Sequence, residues 1–156
     1  MRRRRERKRP ATRVEPSRSP RTEASAPGDH KPRLSAQPDE GLTPTFSFSR
    51  IDIGGPWCWS ELTPDHIRQA FLRLGQFEAM TWQQLRQARC HLISVDQLTG
   101  DAQRRLQELY LDDFDALWSL RLTGRRRIWC APSGRVLLLL WWDPDHQVCP
   151  SELRHT

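Results

Sequence analysis

The chain has 156 residues and a formal charge of +6, a length that fits one domain. Residues 1–42 hold 12 of the 25 Lys and Arg, 6 of the 19 Asp and Glu and 6 of the 12 Pro, but none of the 7 Trp or 5 Phe. The remainder is balanced at 13 basic and 13 acidic residues, so the net charge belongs to a segment too poor in apolar groups to offset its chain entropy.

Residues 1–42 therefore read as a disordered basic tail, and residues 43–156 as one folded domain. No apolar stretch follows the opening arginines, which argues against a secretory signal. The longest apolar run, VLLLLWW, has seven residues and is too short to span a bilayer. The expectation is a cytoplasmic protein with no membrane partner.

The first element is FSFSRIDI, a strand whose apolar parity switches at Arg50, as a bulge would require. Gly54-Gly55-Pro56 breaks it, and Trp57 and Trp59 are expected to cover the sheet edge. A helix follows in LTPDHIRQAFLRLG. Thr63 caps it, Pro64 suits its first position, and Ile67, Ala70, Phe71 and Leu74 share a face. Gly75 is the expected stop. Thr81 and Gln84 make a capping box for a second helix. A third carries Leu98, Ala102, Leu106 and Leu109 inward, with Arg104, Arg105 and Glu108 toward water.

The period then becomes two. LWSLRLT, RIWC and RVLLLLWW read as three strands joined by GRR and APSG turns, the last interior and covered on both faces. QVCP is expected to add an edge strand. This order gives an α+β fold: a small antiparallel sheet with two or three helices packed on one face.

Four cysteines, Cys58, Cys90, Cys130 and Cys149, contain no C-x-x-C pair. Separately buried, reduced thiols are favoured over a zinc site made by them or a nearby His. No phosphate loop, dinucleotide fingerprint, nucleophile elbow or H-E-x-x-H helix occurs, so neither a metal nor a small-molecule cofactor is expected.

Three residues carry the candidate chemistry. Arg121 and Arg127 lie on neighbouring strands and could fork onto phosphate oxygens. His146 follows a strand end and titrates near neutrality, which suits proton transfer. Asp143 and Asp145 could orient it or hold it protonated. Arg125 and Arg126 in the turn could add RNA contacts, and Trp129 or Trp142 could stack on a base. The competing explanations are a solvated turn balanced by Asp112, Asp113 and Asp115, a loop histidine, and tryptophans packed across strands. His91 reads as structural, and His66 and His155 receive no role.

AQRRLQEL, LWSLRLTGRRRIWC, RVLLLLWW and DPDHQVCPS together resemble the RelE/ParE-type toxin superfamily of bacterial toxin–antitoxin pairs. Its members run helix, arginine-bearing strand, second arginine-bearing strand, apolar strand, then a His-bearing end. The resemblance covers residues 98–150, or 46–150 with the first strand and helices. It implies a small antiparallel sheet backed by helices and metal-independent cleavage of RNA, free or on the ribosome. Arg121 and Arg127 would clamp the phosphate, His146 would act as base or acid, and an antitoxin would cover that face. The chain departs from the family in carrying Cys149 where a terminal Tyr is usual, and in having no Lys after residue 42. From the residues alone, a non-enzymatic protein- or nucleic-acid-binding module with an electrostatic arginine tail stays open beside this reading, as does a structural protein of a mobile element.

Overall fold

The computed structural model describes residues 39–150. The expected disordered tail lies outside the described residues, except for positions 39–42. These four are ordered. Leu42 N–H bonds back to Asp39 O, Leu42 O accepts from Trp82 N at 3.1 Å, and Glu40 pairs with Arg86. The folded part thus begins a few residues before the expected boundary.

The elements run β1 (Thr45–Ser47), α1 (Pro64–Glu78), α2 (Trp82–Gln87), β2 (His91–Ser94), α3 (Gly100–Glu108), β3 (Ala116–Arg121), β4 (Arg127–Ser133) and β5 (Val136–Asp143). They build an α+β domain on one five-stranded sheet, ordered β1-β5-β4-β3-β2. Strands β2 to β5 pair antiparallel. Strand β1 departs from the expected antiparallel pattern and runs parallel to β5, with Thr45 opposite Val136. A parallel pair needs a crossover, and the whole stretch between β1 and β5 supplies it.

The FSFSRIDI segment is not one bulged strand: β1 ends at Ser47, and Arg50 lies in a turn. The chain leaves the ladder after Ser47, turns through Phe48–Ile51, and rejoins β5 where Asp52 N–H meets Leu140 O at 3.0 Å. QVCP forms no strand. Its Val148 carbonyl instead accepts from Thr99 N at 3.0 Å, ahead of α3. The unforeseen strand is β2, whose HLIS pairs with β3 from His91↔Ser119 to Ser94↔Ala116.

Side chains alternate across the strands, and both sheet faces are covered. One face carries Trp118, Leu120, Ile128, Cys130, Leu137, Leu139 and Trp142 beneath α1 and α2. The other carries Leu117, Trp129, Ala131, Leu140 and Trp141 beneath α3. The two helices expected on one face are α1 and α2; the third packs opposite, because its Ala102 and Leu106 meet the second set. A register shift between Trp129 and Cys130 leaves Leu140 and the adjacent Trp141 facing the same cluster. Burial of each such side chain contributes about 1.5–3 kcal/mol.

Helix α1 runs through Gly75 to Glu78, and its buried stripe is Ala70, Leu74 and Phe77. Phe71 points outward instead, 53% exposed, with its ring 6.2 Å from that of Phe48. The Thr81–Gln84 capping box forms as expected, with bonds of 2.8 and 3.3 Å.

Arg105 does not point to water. Its Nε and Nη2 both donate to Asp52 at 2.8 Å. Asp52 is 3% exposed and also accepts from Gly54 N, Gly55 N and Trp141 Nε1. Burial would raise its pKa, but Arg105 and the Gly54 amide outweigh that and hold the carboxyl below its ordinary value. This ion pair ties the loop after β1 to α3 and to the sheet beneath. Gly55 lies so close that a Cβ there would collide with both partners.

Candidate functional site

Arg121 ends β3 and Arg127 begins β4. The turn between them uses Gly124 at φ 49° and closes with Leu122 N–H to Arg126 O at 3.1 Å. This sets Arg121 and Arg127 directly opposite each other in the register, and Arg127 in turn opposite Asp143 of β5. All three sit on the α3 side of the sheet, beyond the end of the buried cluster.

Asp143 is fully buried. Its Oδ2 accepts from Trp129 Nε1 at 3.2 Å and Val148 N at 3.0 Å, and its Oδ1 from Gln147 N at 2.8 Å. The carboxylate therefore pins the turn after β5, in which Pro144 fixes one φ angle. His146 occupies the tight point of this turn, at φ 59°. Left-handed backbone is uncommon for a non-glycine residue, although His is among the enriched types.

These elements enclose a hollow of about 290 Å³ lined by Arg121, Arg127, His146 and Trp129, together with Arg89, His91, Ser119 and Cys149. The three residues expected to carry the chemistry thus meet in one place. His91 enters from β2, the strand that the pattern did not reveal, and Arg89 from the turn just before it, where Arg89 N–H bonds to Arg86 O at 3.0 Å. Arginines from three chain segments thus line one hollow. Among the described residues, no carboxylate lies within ion-pair distance of Arg89, Arg121 or Arg127. A domain of balanced charge has gathered three arginines at one hollow, with the buried Asp143 opposite Arg127.

The field there acts on the titratable groups. Burial and then the Arg121 charge lower the Arg127 pKa, with Asp143 opposing. Burial first, and then Arg127, lower the His146 pKa below its ordinary 6.5, and the nearby Asp143 does not reverse this. His146 is therefore neutral at pH 7, and Asp143 positions its turn without holding it protonated. Burial and Asp143 raise the Cys149 thiol, so it is no thiolate nucleophile at neutral pH.

The other expected contacts fall elsewhere. Arg125 is exposed at the hairpin tip, and Arg126 reaches to Gln69 of α1 at 2.7 Å; neither lines the hollow. Trp129 lines it but is 1% exposed, and Trp142 is 2% exposed on the opposite face against His66. Neither ring is open to a base, because both are part of the packed core. Trp57 and Trp59 sit as expected against the sheet, with Trp57 5.3 Å from Trp141.

Cys58, Cys90 and Cys130 are buried free thiols and Cys149 is half-buried. Among the described residues, no three His, Cys, Asp or Glu side chains converge as a metal site, and no helix is long and apolar enough to cross a membrane. A second hollow, about 320 Å³, flanks α1 between Asp65 and Thr123 and holds no histidine or cysteine. No family model, curated protein or solved structure matches this chain.

Proposed function

We propose that the chain is an endoribonuclease of the RelE/ParE toxin kind, cleaving RNA at the hollow between β2, β3, β4 and the turn after β5. The observation that carries this reading is the shared placement of Arg121, Arg127 and His146 around one concavity. Cleavage by the neighbouring 2′-hydroxyl needs a base, a positive clamp on the phosphoryl oxygens, and a proton for the leaving oxygen. His146, neutral at pH 7, takes the proton from the 2′-hydroxyl. Arg121 and Arg127 hold the phosphate as its charge builds, a clamp that guanidiniums supply without a metal. An antitoxin partner would silence the enzyme by covering the hollow.

The test is incubation of the full chain with end-labelled RNA, with the products resolved by termini. The parent is expected to leave 2′,3′-cyclic phosphate and 5′-hydroxyl ends. His146→Asn is expected to slow cleavage by about 10²–10⁴-fold, since Asn tolerates the left-handed backbone but does not titrate. RNA that is bound and never cut would transfer the hollow to a binding module. Equal cleavage by both proteins would remove His146 from the chemistry.

A further inference from the structure

A base at His146 leaves one role unfilled, the acid that protonates the departing oxygen. We propose that His91, on edge strand β2, and Arg89, in the turn before it, receive the leaving half of a single-stranded RNA. His91 donates the proton to the 5′-oxygen, and Arg89 holds the next phosphate downstream. The inference rests on the ribonuclease reading above and adds to it a second imidazole, a third guanidinium and a direction for the substrate.

The geometry supports this division. His91 lies across β3 from the hairpin, opposite Ser119, whereas His146 comes from the turn after β5; both line the same concavity. Strands β3 and β4, with Arg121 and Arg127, lie between them. In-line displacement requires the attacking and leaving oxygens on opposite sides of phosphorus, so a phosphate on the two arginines would have one imidazole toward each oxygen. Arg89 stands at φ 63°, one of three non-glycine left-handed residues among those described. Two of the three, Arg89 and His146, border the hollow. His91 is exposed on the sheet edge.

The proton balance closes. The 2′-oxygen forms its bond to phosphorus as His146 removes its hydrogen. The bond from phosphorus to the 5′-oxygen breaks as the His91 imidazolium protonates that oxygen. The products are a 2′,3′-cyclic phosphate and a 5′-hydroxyl, and water restores the proton from His146 to His91. An unpaired strand is required, because an A-form helix holds the 2′-hydroxyl out of line with the leaving oxygen.

The experiment compares two oligonucleotides, identical except that one carries sulfur in place of the 5′-leaving oxygen. Sulfur departs without protonation, so it makes the acid dispensable. The full-length parent, His91→Gln and His146→Asn are each assayed on both. His91→Gln is expected to lose about 10²-fold or more on the oxygen substrate and to match the parent on the sulfur substrate. His146→Asn is expected to be slow on both. Arg89→Gln should weaken binding of a 2′-deoxy oligonucleotide only when the downstream phosphate is present. A His91→Gln protein at parental rate on both substrates, or equally slow on both, overturns the assignment and leaves the ribonuclease reading intact. A parent that cuts neither substrate overturns both.

Discussion

Replacing Arg105 with Met removes the cation from a carboxylate that has almost no access to water. Asp52 is 3% exposed, and its two bonds to Arg105 are both 2.8 Å. Two unit charges about 4 Å apart interact by about 4 kcal/mol at an effective dielectric of 20. Removing one partner of a buried pair typically costs about 3–5 kcal/mol, since the other charge stays uncompensated. Arg105→Met should therefore lose about 3–5 kcal/mol, a large part of a domain's total stability. Asp52→Leu should lose a similar amount. The double variant should cost less than the two losses added, because it buries no lone charge; a residual about 1–3 kcal/mol remains from the unsatisfied Trp141 Nε1. Urea unfolding of all four proteins, followed by tryptophan fluorescence, gives the coupling. A loss below about 1 kcal/mol for Arg105→Met, or additive single losses, would mean the pair behaves like an exposed one, and the reasoning fails. The acid limb offers a second check. The Asp52 carboxyl is held below its ordinary 3.8, so its stabilisation is present above that pH and disappears as pH falls through the lower, folded value. Asp52→Asn should flatten the stability curve in that window.

Gly55→Ala should cost about 1–3 kcal/mol by forcing the same pair apart, and its effect should shrink in the Asp52→Leu/Arg105→Met background. His146 should titrate below 6.5 by NMR, and Arg127→Gln should bring its midpoint part of the way back, since burial is the larger cause; an unmoved midpoint would show that Arg127 is not felt there. The same shift predicts a fold that is most stable above pH 6.5 and weakens as pH drops through the folded His146 value, a slope that His146→Asn should remove. Alkylation with iodoacetamide at pH 7 should label Cys149 slowly and leave Cys58, Cys90 and Cys130 untouched in the folded protein, three of the four thiols being buried.

What could be read from the residues followed from periodicity and capping. Thr63, Thr81 and the alternating strands β3 to β5 announce themselves locally, and so does the opposition of Arg121 and Arg127 across a glycine turn. His146 was legible as a histidine at a strand end. What stayed hidden depends on contacts distant in sequence. HLIS is only four residues long and lies on a sheet edge, so it carries too few periods to stand out; His91 on it reads as structural, and Arg89 in the turn before it gives no signal at all. Arg105 resembles any outward helix residue until Asp52, 53 positions away, is folded against it. The side on which α3 packs follows from the chain crossing the sheet edge at Val95–Gln97, which no pattern within α3 records. Trp129 and Trp142 have the aromatic character of a stacking platform, but rings of that size are also what a thin two-sided core needs.

The order of strands also constrains how the molecule can be divided. A cut in the turn at Val95–Gln97 would leave an amino-terminal piece holding β1, α1, α2 and β2, whose two strands belong at opposite margins of the sheet. That piece contains no pair of strands that bond to each other. The carboxyl-terminal piece keeps the β3–β4–β5 meander, the centre onto which both margins must add. Reassembly from the two halves would therefore be templated by the second piece alone, and Arg89 and His91 would reach Arg121, Arg127 and His146 only when the first had joined it.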